Sequence, residues 1–494
     1  MVPDRDGIAG VDAHAAQSVA RSPKALLKRR LASGGAWVLG GRLAAALLAL
    51  AANALLARLL SPKELGAYFL AYSLVTVGAL LGSLGLHLSV LRFVAESLAL
   101  DQYDRTKRAL RVVFGLGVLG ALGAGIAYLL FGHLVGSSLF HSPALVMVTG
   151  PVAAWIAIMT LQTLFAESFR GFSNLFLATI FGGLGLITSV ILVTCLGLLW
   201  SLEGYTSLGT VVGLAAGSGF ASVLLAGWLL RNRVRTLPSG KGAERGIGLR
   251  EILSLSWPMW VTNITLFVGT QTDIWIVGAF RSQEEVAIYG AAVKLVLMVA
   301  LPLQIVSAVV PPLITEMYVQ GRRRELERAL RATATLAGIP AFLVLAVFMS
   351  LGGPILGAVY GGYYQEGWLI LAVLSVGQLV NVGLGSGGFV LMMTGRHMLM
   401  MYITVVCGIF TVVAGLAVVG PYGLTGIAAV AATSVALQQL LAWLATKSTV
   451  GIWTHAGLGL REFGGADWRD VGSFVKSGSL LVGEFCRRNL RKFR

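Results

Sequence analysis

Long apolar runs without a charge constrain this chain more than any other feature. Residues 43–56, 112–131, 144–165, 175–202, 208–230 and 332–365 contain no Asp, Glu, Lys or Arg. Most are close to the roughly 20 residues that cross a hydrocarbon core as a helix. A backbone in lipid must satisfy every N–H and C=O internally, so only helices and closed barrels span. Barrel strands alternate polar and apolar residues over about ten positions. These runs do not alternate, so they read as helices. Composition agrees: 12% of residues are charged and 56% hydrophobic, whereas soluble domains carry about 25% charged residues.

Twelve spans are expected, at about 34–57, 65–91, 112–131, 144–165, 175–200, 208–230, 257–280, 286–314, 332–352, 367–391, 399–419 and 424–446. With the N-terminus inside, 33 of the 38 Lys and Arg residues fall on the cytosolic side. Outside loops keep only Arg58, Lys63 and Arg281, while Arg42 and Lys294 lie within spans. This positive-inside pattern predicts N-in and C-in orientation. It also accounts for the net charge of +16, as a topology signal and an attraction to anionic lipid. Nucleic acid is therefore not an expected partner. The first 33 residues lack an apolar core, which predicts no cleavable signal peptide. Cys195, Cys407 and Cys486 lie far apart and suggest neither a disulfide framework nor a metal site. No cofactor is expected.

The halves repeat. Ser61-Pro-Lys-Glu64-Leu-Gly-Ala-Tyr68 matches Ser282-Gln-Glu-Glu285-Val-Ala-Ile-Tyr289 at an offset of 221. Trp37 with Trp257, Glu96 with Glu316, and Arg108-Ala-Leu-Arg111 with Arg328-Ala-Leu-Arg331 fall at 220. Six spans per unit keep both halves in one orientation, so the repeats are parallel, about an axis along the membrane normal. The expected organisation is a basic N-terminal segment (1–33), a six-helix lobe (34–230), a basic linker (231–256), a second lobe (257–446) and a basic tail (447–494). Segment 471–485 is too polar to span. It reads equally as a surface amphipathic helix or as a loosely ordered tail.

The stretch from Ser33-Gly-Gly-Ala-Trp37 through Ala57-Arg58 and the motif at 61–68 resembles the start of bacterial polysaccharide biosynthesis proteins. These are the Wzx-type flippases of the multidrug/oligosaccharidyl-lipid/polysaccharide superfamily. Arg92-Phe-Val-Ala-Glu96, Phe169-Arg-Gly171 and Met393-Thr-Gly395-Arg396 extend the resemblance over about residues 30–446. It implies an all-α membrane protein with two pseudo-symmetric six-helix lobes in a V around a central cavity, lined by spans 1 and 7. It implies a polyprenyl-diphosphate-linked glycan as cargo, moved from the cytosolic to the outer leaflet of the bacterial inner membrane, for polysaccharide biosynthesis or export. Membrane lipids, H+ or Na+, and a glycan polymerase or glycosyltransferases are the other implied partners. Lipid II flippases of the superfamily place a basic–acidic pair late in helix 1. Here those positions are Ala52 and Asn53, which disfavours peptidoglycan precursor. Drug exporters share the fold but lack the 61–68 pattern.

Charges within spans are costly and mark candidate sites. Arg42 and Asn53 are eleven residues apart, about 20° after whole turns, so they share a helix face. Asp273 is the repeat partner of Asn53, and Thr262 that of Arg42; these two also share a face. Together with Asn263 and Lys294 they form the expected substrate-binding set. Snorkelling to head groups is the alternative for Arg42. An ion pair with Lys294 or Arg281 is the alternative for Asp273. Arg92, Glu96, Arg170 and Glu316 are placed at a cytosolic mouth, as a salt-bridged gate or a solvated loop face. His87 reads as a packed or interfacial histidine.

A membrane glycan polymerase or ligase is the competing class. The outside loops span only about six to fourteen residues and carry no paired Asp, Walker or nucleophile motif. A transporter is therefore expected in preference to an enzyme. A scaffold that docks synthases through Arg487, Arg488 and 491–494 is a third reading.

Overall fold

The computed structural model describes residues 23–182, 185–202, 206–238, 271–306 and 310–457, together with positions 252, 256, 257 and 260. The chain divides into two units, Gly41–Leu458 and a smaller one made of Met1–Gly40 and Gly459–Arg494. Of the smaller unit only helical backbone from Pro23 is described.

The larger unit is all-α. Among the described residues, nine helices are long and apolar enough to cross a membrane, and Leu43–Leu59 is a shorter apolar helix. His397–Val450 holds two spans: Gly423, at φ 57°, breaks it just after Pro421. Within span 7 a continuous helix is described only over Thr272–Phe280. The expected twelve-span pattern accommodates all of these helices. Side chains such as Leu119, Leu122, Leu129 and Leu130 of span 3 and Phe342 and Leu343 of span 9 are exposed. An apolar exterior of this kind requires lipid as its solvent, and the chain is a multi-pass membrane protein.

Several helices exceed the expected apolar spans. Span 3 runs Tyr103–Leu134 and span 9 runs Arg323–Tyr360. Their extra turns carry Arg, Lys, Glu and Leu, which are good helix formers that need no apolar surroundings.

The repeat motif is a helix-capping device. Ser61 Oγ accepts from Glu64 N at 3.3 Å, and Glu64 Oε2 accepts from Ser61 N at 3.1 Å. Ser282 and Glu285 make the same pair of bonds, also at 3.3 and 3.1 Å. Both are capping boxes. They start the helices Pro62–Gly82 of span 2 and Gln283–Val306 of span 8.

These two helices form the seam between the halves. They run side by side from their capped ends, and a Cβ on Gly66 would overlap the Gln283 carbonyl oxygen. Phe69 fills the space a Cβ would need on Gly290, and Leu70 and Phe140 do so at Gly278. Two polar contacts cross as well: Trp275 Nε1 donates to Ser73 Oγ at 2.9 Å, and Gln283 Nε2 to the Phe140 carbonyl at 3.0 Å. One continuous core therefore includes residues of both halves, from Leu56, Phe69 and Trp155 to Tyr289, Tyr360 and Ile427. At the opposite, Arg/Lys-rich end the cores are separate. Leu86, Phe93, Leu110 and Leu164 pack in the first half, Ile314, Leu326, Leu330 and Val450 in the second.

Two spans expected to be continuous are broken. Span 2 stops at Gly82 and resumes at Leu86, with Leu84 and Gly85 in the left-handed region. Trp260 Nε1 donates at 3.2 Å to the Leu81 carbonyl, which also accepts from Leu84 N at 3.2 Å, and Ser256 Oγ meets Ser89 Oγ at 2.7 Å. Span 10 breaks at Gly385, φ 76°. There Thr454 Oγ1 donates to the Leu384 carbonyl and Ala456 N to the Gly383 carbonyl, both at 2.8 Å. A helix break within a membrane protein persists where neighbours satisfy the freed groups. In each case the partner residues follow the six-span unit that contains the break.

Candidate transport site

The first cavity, about 290 Å³, lies between span 1 and span 8. Span 1 contributes Ala45, Ala46, Ala49 and Asn53, a stripe at helical spacing; span 8 contributes Lys294, Met298 and Gln304; Tyr360 comes from span 9. Alanine keeps this face shallow, and Asn53 supplies its polar point. The Asn53 amide donates to the Ala49 carbonyl at 2.6 Å. Tyr360 is buried, and its hydroxyl has no partner among the described residues.

Lys294 is the charge of this cavity. Its ammonium lies 4.3 Å from the Tyr72 ring centroid and 6.0 Å from that of Phe69. Both rings belong to span 2 of the other half, so Lys294 reaches across the seam. Among the described residues, no carboxylate lies within ion-pair distance of Lys294. A half-buried ammonium held by aromatic faces keeps N–H donors available to an anion.

The second cavity, about 410 Å³, lies within the second half. Asp273 lines it with Gln378, Thr404, Thr411, Ser434 and Gln438. Asp273 Oδ2 accepts from the Tyr289 hydroxyl at 2.8 Å, and its Oδ1 accepts from Ile274 N at 2.9 Å. Around the cavity, Thr411 Oγ1 donates to Ser434 Oγ at 2.6 Å, and Gln438 Nε2 to Thr404 Oγ1 at 3.3 Å. Span 8 separates the two cavities, and Leu297 lines both.

The structure brings Asn53 and Lys294 to one cavity and Asp273 to the other. Asp273 makes no ion pair with Lys294 or Arg281 among the described residues. Arg281 instead donates from Nε to the Val419 carbonyl at 3.1 Å, next to the break between spans 11 and 12. Position 42 is helical and continues the 45/46/49/53 stripe, but its side chain lies outside the described residues, as does that of Glu316. Thr262 and Asn263 also lie outside them. At the Arg/Lys-rich end, Glu96 sits 3.9 Å from Arg92 and 3.8 Å from Arg105. Both Arg92 and Glu96 are exposed, and such pairs contribute about 0–1 kcal/mol. Arg170 pairs with Glu167 at 2.6 Å, within one half. His87 is buried, and its Nδ1 lies 3.1 Å from Ser83 Oγ.

Sequence reasoning missed Tyr72, Tyr360, Gln378, Thr411, Ser434 and Gln438. The glutamines carried a signal, since a polar amide inside a span is costly by the same rule that singled out Asp273. Tyr72 and Tyr360 carried none, because tyrosine is common in membrane helices.

The polysaccharide biosynthesis protein family model matches residues 31–318. The chain belongs to that family. No curated protein sequence matches the chain. Among solved structures, it is similar to an inward-facing multidrug resistance MATE transporter of the MOP superfamily (TM-score 0.65, 15% identity, 84% of this chain and 98% of that one). It is also similar to the lipid II flippase MurJ in an inward closed conformation (0.62, 14%, 82% and 86%). A MOP superfamily transporter from Pyrococcus furiosus gives 0.58 at 13% identity, over 86% and 95%. At these identities the likeness establishes the shared fold, that of transporters and flippases.

Proposed function

We propose that this family member is a flippase that moves a lipid-linked oligosaccharide across the bacterial cytoplasmic membrane, from the cytosolic to the outer leaflet. Both termini are then cytosolic, and the Arg/Lys-rich end faces the cytosol. The observation that carries the reading is Lys294: a half-buried cation without a carboxylate partner among the described residues, at a cavity between the halves. A diphosphate head group must cross about 30 Å of hydrocarbon while its polyprenyl tail stays in lipid. A cation inside a polar groove lowers the cost of that passage, and Asn53 offers a hydrogen bond to sugar or phosphate. Arg42, Thr262 and Asn263 complete the groove in this proposal. Asp273 repels an anion, so its role is a coupling one: it takes up a proton or a cation that drives the cycle. Glycosyltransferases or a polymerase act before and after the flip.

Purified protein in liposomes should flip a fluorescent undecaprenyl-diphosphate oligosaccharide, and a cell lacking it should accumulate that glycan lipid inside and lose a surface or exported polysaccharide. Normal glycan export in the deletion strain would reject the reading. Extrusion of drugs without glycan flipping would replace it with multidrug export, and recruitment of synthases without any flipping would replace it with a scaffold.

A further inference from the structure

We infer that Lys294 is a latch as well as a ligand: it closes the seam by gripping Tyr72, and an anion in the cavity releases that grip. The inference deepens the flippase reading and rests on it for the identity of the anion.

The argument starts from position. Lys294 sits three turns into span 8, where the capped seam gives way to the cavity. Toward the capped end, Gly66, Phe69 and Ser73 hold span 2 against Gln283, Gly290 and Trp275. Those contacts are steric or neutral, and nothing in them responds to cargo. Lys294 adds a charged contact across the seam on the cavity side, 4.3 Å from the Tyr72 centroid. An ammonium over a ring face is held by the ring's quadrupole. A phosphate oxygen attracts the same ammonium more strongly, because it carries a full charge.

The ammonium cannot serve both partners at full strength. When an anion enters beside Asn53 and Tyr360, Lys294 turns toward it and the attraction to Tyr72 falls. Among the described residues, spans 2 and 8 then retain steric and neutral contacts. Tyr360 also lines this cavity, and its buried hydroxyl has no partner among the described residues. Cargo binding thus weakens the closure at the far side, the order of events an alternating transporter requires. A ligand shifts a conformational balance only by binding the two states differently, and the shared ammonium provides that difference. Tyr72 is a positioning residue in this account and does not touch cargo.

The test separates latch from cargo. Spin labels replace the exposed Ser137 and Gly362 in the full chain, with Cys195, Cys407 and Cys486 replaced, and their distance is measured by electron–electron resonance. Without ligand, Tyr72→Leu and Lys294→Met should each shift the distribution to longer distances, and Tyr72→Phe, which keeps the ring, should not. An unchanged distribution in both Tyr72→Leu and Lys294→Met overturns the latch, whatever the cargo is. In the second arm undecaprenyl diphosphate is titrated into protein in nanodiscs. Tyr72→Leu should bind it on the order of tenfold tighter than wild type, because no cation–π contact is given up. Weaker binding by Tyr72→Leu would mean the ring prepares Lys294 for the anion, and would overturn the competition. Failure of the wild type to bind the lipid overturns the cargo reading and the anion release, while the first arm still decides the latch.

Discussion

The Tyr289 hydroxyl donates to Asp273 Oδ2 at 2.8 Å and ties the start of the described part of span 7 to the first turns of span 8. Tyr289 is fully buried and falls in the capping motif that repeats Tyr68. The same short sequence therefore starts a helix and anchors an intramembrane acid. Tyr289→Phe removes one donor and leaves Ile274 N as the other. A hydrogen bond to a charged group is worth about 1.5–3 kcal/mol, so flipping should slow by roughly one to two orders of magnitude if Asp273 must be held in place. Initial rates in liposomes check this. In an Asp273→Asn background the Tyr289→Phe change should cost much less, because the two act through one contact. Full activity of Asp273→Asn at normal protein level would remove the acid from the mechanism.

Arg42→Ala should weaken flipping, and Arg42→Lys should restore it only in part. Lysine keeps the charge but lacks the planar fork that grips phosphate oxygens in pairs. Equal activity of Arg42→Ala and wild type, matched for protein amount, would assign Arg42 to lipid head groups.

The sequence displayed the membrane class and the repeat, because both follow from periodicity and cost: apolar runs long enough to span, and matched residues at a near-constant offset. It also displayed Lys294 and Asp273, because a charge inside a span is conspicuous. It did not display which cavity each would face. That depends on the angle at which spans 7 and 8 pack, and one helix carrying Lys294 on one face and Val293 on another separates the two cavities. The break in span 2 was hidden for a related reason. Leu84 and Gly85 look ordinary in an apolar run, and the Leu81 carbonyl beside them gains a second hydrogen bond from Trp260, far away in sequence.

Cysteine labelling should settle orientation. Probes at Ser137 and Gly362 should react with an impermeant maleimide from outside the cell, and probes at Gly240 and Ser473 only after permeabilisation. The expectation rests on 33 of 38 basic residues falling on one side. Reversed labelling would invert the transport direction proposed above.

Residues 451–457 should release from the second half as pH falls. Here Trp443 Nε1 donates to His455 Nδ1 at 3.1 Å, and Gly457 N donates to Thr335 Oγ1 at 3.2 Å. Burial lowers the His455 pKa below its usual value, and the neighbouring Arg331 lowers it further, against a smaller opposing effect of Glu327. The docked segment thus favours neutral imidazole, whose Nδ1 accepts from Trp443. The stabilisation is complete above the ordinary value of about 6.5 and is lost as pH falls from there through the lowered one. Protection of the 452–457 amides, taken relative to the intrinsic exchange rate at each pH, should fall between neutral and acidic pH in wild type. In His455→Phe this loss of protection should be absent, and its persistence would place the pH dependence elsewhere.

The two seam glycines should differ in effect. At Gly66 an added Cβ meets the Gln283 carbonyl, which is backbone at a helix start; at Gly290 it meets the Phe69 ring. A ring can rotate away, but a capped helix terminus moves only with its helix. Overpacking costs about 1–3 kcal/mol, and the cost falls on the closed state alone, because the glycines meet their neighbours only there. Gly66→Ala should therefore raise the open fraction from about fivefold to a hundredfold, and Gly290→Ala by less. Ser73→Cys provides the reporter. Ser73 is buried at the seam, 2.9 Å from Trp275 Nε1, so a thiol there should resist an impermeant maleimide added from outside. With Gly66→Ala the same thiol should become reactive, and with Gly290→Ala only weakly so. Equal, low reactivity in all three proteins would show that the seam is not what closes the far end.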